Sequence, residues 1–342
     1  MIVAVSLLLV SFAVLLLGAF VFTNAVEWAG VRLNLGQGAV GSVLAAVATA
    51  LPESVIPVVA IIGGDRTGQI AIGAIVGAPF LLGTVAMALV GLTVLGFRNR
   101  RPQGVRLRLH HGLTRRDLVV FMSFLSAALV LGLVHSTALN IAAAVVFVAA
   151  YGVYVWRTIA AGSGTAGEEE ALGGLFFDPT KQDPPHNAQI VVQIAVGLAL
   201  IIGGAQLFVA QIEWIAHRTG VAPLVLALVL APLASELPEK VNSFLWAHEG
   251  KDALALGNIT GAMVFQSMIP VAVGMAFTPW QLPVPAVAAS ACAVVGGAVC
   301  LLAVRRVGWF PPSYVLTWGA LYGGAVYVIL RLVRRAAVPS TP

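Results

Sequence analysis

Apolar residues in this chain follow neither a strand nor an amphipathic-helix period. They run in long blocks separated by short charged stretches. Each block is about the 20 residues that an α-helix needs to cross a bilayer. Apolar blocks lie at 2–23, 37–63, 69–96, 117–135 and 139–157, and again at 189–214, 221–247, 253–277, 284–304 and 311–332. Between the two sets lies a polar stretch, Thr158 to Asn187, rich in Gly and Pro and carrying Glu168-Glu169-Glu170. The pattern predicts an all-α integral membrane protein of about ten transmembrane helices. Residues 1–157 form its first half (spans 1–5), 158–188 a cytoplasmic linker loop, and 189–342 its second half (spans 6–10).

Two blocks break the apolar pattern in the same way. GAVGSVLAAVATALPESVIPVVAIIGG carries Pro52-Glu53, and VAPLVLALVLAPLASELPEKVNSFLWAHEG carries Pro238-Glu239. Each is followed by a Gly-spaced helix, AIGAIVGAPFLLG from Ala71 and ALGNITGAMVFQS from Ala255. Glu53 and Glu239 are 186 residues apart, whereas the pairs Gly73/Gly257 and Gly77/Gly261 are 184 apart. The two stretches therefore read as one repeat whose connection is two residues shorter in the second copy. Five spans per half, an odd number, insert the halves with opposite orientation. This predicts two inverted five-helix repeats. A proline beside each glutamate predicts that helices 2 and 7 are broken there, freeing carbonyls toward a cavity. A carboxylate in a membrane segment is costly and marks an ion or substrate pathway.

Composition agrees with a membrane protein. Of 342 residues, 59% are hydrophobic and 10% charged, against about a quarter charged in a soluble domain. Mean hydropathy is +0.97. No room remains for a sizeable soluble domain, and Met1 to Val21, which lacks a leading basic region, reads as the first permanent span. The net charge of +5 comes from loop arginines and does not point to nucleic acid. RNRRPQGVRLRLHHGLTRR, between spans 3 and 4, is the most basic loop and is assigned to the cytoplasm. That puts both termini outside, in a plasma (inner) membrane, with the tail arginines from Arg331 against the rule. The loop also offers a surface to anionic lipid. Cys292 and Cys300 share one apolar run and read as packing residues. The six histidines fall in loops or at span ends. No cofactor and no protein partner is called for; the partners are inorganic cations and membrane lipids.

AVATALPES and LASELPEK resemble the two alpha-repeats of the sodium/calcium exchanger family, within the cation/Ca²⁺ exchanger superfamily, in a divergent prokaryotic-type form. Those repeats read G-T-S-x-P-E, followed by a G-N-x-x-G-S-N helix. The resemblance implies that spans 2, 3, 7 and 8 meet at the membrane centre, where Glu53 and Glu239 bind Ca²⁺. Thr49, Ser235, Glu236 and Gln266 stand at or beside the positions of further oxygen ligands. Ca²⁺ takes six to eight oxygens, and two carboxylates neutralise it. The chain departs from the pattern at Thr49-Ala50, Ser235-Glu236, Gly77-Ala78-Pro79 and Gly261-Ala262-Met263. The Asn or Asp expected five residues past that Gly is Leu82 in one copy and Gln266 in the other. Neutral ligands suited to Na⁺ are lost and a titratable Glu236 is gained, which favours H⁺ over Na⁺ as counter-ion. Lys240, four residues after Glu236, has the spacing of a helical ion pair. Asn258 is placed for a polar contact, while Asn242 and Ser243 read as packing residues. The expected function is a secondary antiporter exchanging Ca²⁺ or a related cation for H⁺ or Na⁺ by alternating access. Spans 1 and 6 are expected to slide against the rest. Two alternatives remain: a membrane-embedded enzyme using Glu236 and Glu239 on a lipid headgroup, and a transport-inactive regulatory paralogue.

Overall fold

The structure, a computed structural model, describes residues 1–32, 51–64, 68–134, 136–160, 174–178 and 185–337. With no water in a bilayer core, each spanning segment must satisfy its backbone internally, and helices do this residue by residue. The described residues form helices and no strand. In chain order they are α1 (Ile2–Arg32), α2 (Leu51–Ile62), α3 (Gly68–Gly96), α4 (His111–Val134) and α5 (Thr137–Ala160). After the linker come α6 (Asn187–Thr219), α7 (Pro223–Glu249), α8 (Asp252–Phe277), α9 (Val284–Val307) and α10 (Pro312–Ala337). They follow the order of the apolar blocks. Eight are long and apolar enough to cross a membrane; Pro52–Ile62 and Pro223–Glu236, which include or approach the Pro-Glu pairs, are shorter apolar stretches. The start of the expected second span and the acidic run Glu168-Glu169-Glu170 lie outside the described residues.

One expectation is corrected. Helix 7 is not broken at Pro238: α7 is continuous from Pro223 to Glu249. Proline removes one backbone donor and crowds one carbonyl, and packed membrane helices absorb that loss by local adjustment. Pro57, Pro79 and Pro270 likewise sit inside helices. Where the ladder does change, in α3, it forms a π turn at Leu82–Ala86. There Thr84 Oγ1 donates to the Phe80 carbonyl at 2.5 Å.

Packing sorts the helices into two groups. α1 lies along α6 on a seam of small residues. A Cβ on Gly18 would stand 2.9 Å from Leu200 Cβ, and one on Gly197 would stand 2.8 Å from the Phe22 backbone. Phe12 stacks on Phe208 across the same seam, with ring centroids 5.7 Å apart. The larger group has α3 at its centre. Twelve of the fourteen residues from Gly68 to Leu81 are buried, a run without a polar face, as befits a helix enclosed by others. α3 crosses α7 where Gly73 meets the Leu224 carbonyl and Gly77 meets the Leu228 carbonyl, each too close to admit a side chain. Close backbone approach at small residues replaces the hydrophobic drive that lipid cannot supply. α4 and α5 pack on α8, and α9 packs on α3 and α4. α2 bridges the groups, touching α3, α6, α7 and α8.

At one end of the bundle the basic loop is folded and tied down. Arg101, fully buried, pairs with Asp252 at 2.8 Å and donates to the carbonyls of Ala247, Gly104 and Arg106. Gln103 Nε2 and the Arg108 amide also donate to Asp252, at 2.9 and 3.0 Å. Leu107 N donates to Gly308 O at 2.9 Å, joining the loop to the end of α9.

Candidate functional site

The break expected in helix 2 falls at the edge of the described residues, where α2 is described from Leu51 onward. Pro52 and Glu53 lie in its first described turn. Glu53 is buried, 6% exposed. Thr49 and Ala50 lie outside the described residues.

The second motif lies within an unbroken helix, so residues four apart share a face. Glu236 and Lys240, each 1% exposed, face one another with Lys240 Nζ 3.5 Å from Glu236 Oε2. Gln266, from α8, donates through Nε2 to Glu236 Oε1 at 2.9 Å. An acid, an ammonium and an amide thus form one buried cluster across the α7–α8 interface. Ser235 Oγ donates to the Ala231 carbonyl at 3.1 Å, leaving its oxygen lone pairs free to accept. Further along the same interface Asn258 Nδ2 donates to Ser243 Oγ at 2.9 Å. Asn258 therefore has its polar contact, and Ser243, expected only to pack, supplies it. Glu239 is described by its backbone alone, on α7 one position before Lys240.

The structure brings together Glu236, Gln266 and Lys240, with Ser235 beside them on α7. It places Glu53 on α2, which packs against both α7 and α8. Among the described residues no three His, Cys, Asp or Glu gather as a metal-binding group; the Glu239 side chain is not among them.

Sequence reasoning missed a second buried polar cluster. Asp117 on α4 accepts from Tyr154 Oη of α5 at 2.8 Å and from Thr260 Oγ1 of α8 at 3.1 Å. Arg116 pairs with the same carboxylate at 3.2 Å and lies over the Tyr154 ring. The signal was present: a carboxylate at the start of an apolar run, and a threonine inside the LGNITG stretch.

The described residues thus form a helical membrane bundle with two Pro-Glu segments and a buried polar cluster, Glu236, Lys240 and Gln266, between neighbouring helices. The chain belongs to the sodium/calcium exchanger protein family, whose sequence profile matches residues 3–160 and 189–332. Its fold is similar to that of native YfkE (TM-score 0.68, 12% identity, covering 96% of this chain and 92% of that one). It is similar also to the H⁺/Ca²⁺ exchanger CAX (TM-score 0.63, 17% identity, 97% and 88% covered) and to the sodium-calcium exchanger NCX_Mj (TM-score 0.57, 20% identity, 96% and 98% covered). A putative antiporter CaxA from Alkalimonas amylolytica is 29% identical over 119 residues, which are 35% of this chain and 37% of that relative's length.

Proposed function

We propose that the protein is a secondary antiporter that exchanges Ca²⁺, or a related cation, for H⁺ or Na⁺ by alternating access. The observation that carries this reading is the burial of Glu53 on α2, at the motif that recurs at Glu239 on α7. A membrane carboxylate at the same place in both halves fits a shared cation site at the repeat interface. Family membership and the names of the similar proteins, an H⁺/Ca²⁺ exchanger and a sodium-calcium exchanger among them, support it. In this reading 1–157 and 189–342 are inverted repeats joined by 158–188. Glu53 and Glu239 hold the divalent ion, and Thr49 and Ser235 add hydroxyl oxygens. The basic loop faces the cytoplasm, both termini lie outside, and the host is the plasma (inner) membrane. H⁺ is the favoured counter-ion, because neutral side chains suited to Na⁺ are missing at Ala50, Ala78, Leu82 and Ala262.

The test is flux into proteoliposomes. Radiolabelled Ca²⁺ uptake is expected to follow an imposed pH gradient without Na⁺. Glu53→Gln and Glu239→Gln are each expected to lower it at least about tenfold, the effect of about 1.4 kcal/mol of lost ion binding. Wild-type flux in either variant refutes the site. Flux that needs Na⁺ and ignores the pH gradient refutes the counter-ion alone.

A further inference from the structure

We infer that the end of the bundle bearing the basic loop is a preformed docking surface for the headgroups of anionic phospholipid, built jointly by the α3–α4 loop and the end of α9. Its backbone is fastened at several points. Arg101 and Asp252 pin the loop to the start of α8, and Leu107 N donates to Gly308 O at 2.9 Å. Arg106 forms an antiparallel bridge with Trp309, so the chain at Arg106 runs beside the chain that leaves α9. Side chains alternate along an extended segment: Leu107 is buried, while Arg106 and Arg108 on either side of it are exposed. The last turn of α9 adds Arg305 and Arg306, both exposed, and Arg98 and Arg100 are exposed just past the end of α3.

Depth and charge select the occupant. The apolar spans of α3 and α9 end at Gly96 and Val307, and that of α4 begins at His111. These arginines therefore lie within a few residues of span ends, at the level of lipid headgroups. Acids on the surrounding helices are already engaged: Asp252 with Arg101, Asp117 with Arg116 and Glu249 with Lys251. Guanidinium groups offer paired donors to phosphate oxygens. Phosphatidylglycerol brings a phosphate without a cation of its own; phosphatidylcholine brings an ammonium that the surface repels. A cluster of four to eight basic residues beside a span recruits anionic lipid, each residue favouring it about fivefold. Charge alone is enough to orient a span; a fastened array with alternating exposure adds fixed partners for headgroup phosphates.

The experiment takes protein from vesicles of equal parts phosphatidylglycerol and phosphatidylcholine, washes it in neutral detergent and counts the retained lipids by mass spectrometry. The readout depends neither on transport nor on orientation in the bilayer. The wild type is expected to retain phosphatidylglycerol over phosphatidylcholine by more than about tenfold. The pair Arg106→Gln, Arg108→Gln and the pair Arg305→Gln, Arg306→Gln are each expected to lower that ratio at least about fivefold. Arg106→Lys with Arg108→Lys is expected to keep it, because the charge remains. Arg218→Gln with Arg331→Gln removes the same charge at the opposite end of the bundle, near the ends of α6 and α10, and is expected to leave the ratio unchanged. A wild type that retains both lipids equally overturns the inference, as does an equal fall in the opposite-end pair. A fall in only one of the two near-end pairs overturns the joint surface. A preference abolished by inorganic phosphate marks a small-anion pocket and overturns the lipid as occupant.

Discussion

Arg101 shows how one side chain organises a membrane face. Its guanidinium forms a charged pair with Asp252 and donates to three backbone carbonyls. Removing it leaves Asp252 buried with only Gln103 and the Arg108 amide as donors. Breaking a buried pair by deleting one partner costs about 3–5 kcal/mol. Arg101→Ala is therefore expected to lower the unfolding temperature of detergent-purified protein markedly more than Arg98→Ala, an exposed neighbour. Equal melting of the two would show that the pair contributes nothing. The sequence hid this pair because Arg101 is one of several arginines in a basic loop, and nothing local distinguishes the buried one. The i,i+4 pair of Glu236 and Lys240 was legible, because both partners lie on one helix and its spacing alone brings them together. Gln266 was legible only as a substitution; its bond to Glu236 depends on how α7 and α8 meet.

At the scale of elements, the α3–α7 crossing depends on two missing side chains. A methyl on Gly77 would run into the Leu228 carbonyl and come within 2.8 Å of the Pro232 ring. Neither neighbour is the end of a flexible chain, so the helices themselves must separate. Overpacking costs about 1–3 kcal/mol. Gly77→Ala is expected to lose at least that much stability, whereas Gly203→Ala, exposed on α6 with nothing within 4 Å, is expected to lose none, since Ala is the better helix former. A thermal-shift comparison that finds the two variants alike would remove the crossing from the account. The helix order and the glycine periodicity could be read from the pattern of apolar blocks. The continuity of α7 could not: the cost of an internal proline is offset by neighbours whose packing is not written locally. Gly73 and Gly77 show a crossing, while Gly257 and Gly261, aligned with them in sequence, have no close neighbour among the described residues.

At the scale of the whole molecule, the glycine seam makes α1 and α6 one body. α6 has 33 residues, about 50 Å at 1.5 Å per residue, well beyond the roughly 30 Å of a bilayer core. Such a pair tilts or projects past the membrane, and as a unit it is expected to move against the other helices. Cross-linking within the pair is then expected to spare transport. The double variant Phe12→Cys, Phe208→Cys, in a background with Cys292→Ala and Cys300→Ala, should keep its Ca²⁺ flux after treatment with a short bifunctional thiol reagent. Flux abolished by that link would mean that α1 and α6 slide past each other within each cycle. The helical class and the order of the apolar blocks were thus legible from one-dimensional pattern. The polar clusters at Asp117 and Asp252 were not, since each joins residues more than 140 positions apart. That separation also has a meaning in time. Asp252 is made 151 residues after Arg101, about 8–30 s later at the usual 5–20 residues per second. While the ribosome is still building the intervening helices, Arg101 has no carboxylate to neutralise it and counts fully among the loop's positive charges. Membrane orientation is chosen by such loop charges near the ends of early spans. The loop is therefore expected to present more positive charge while orientation is being chosen than the finished protein displays, since the Arg101–Asp252 pair forms only afterwards.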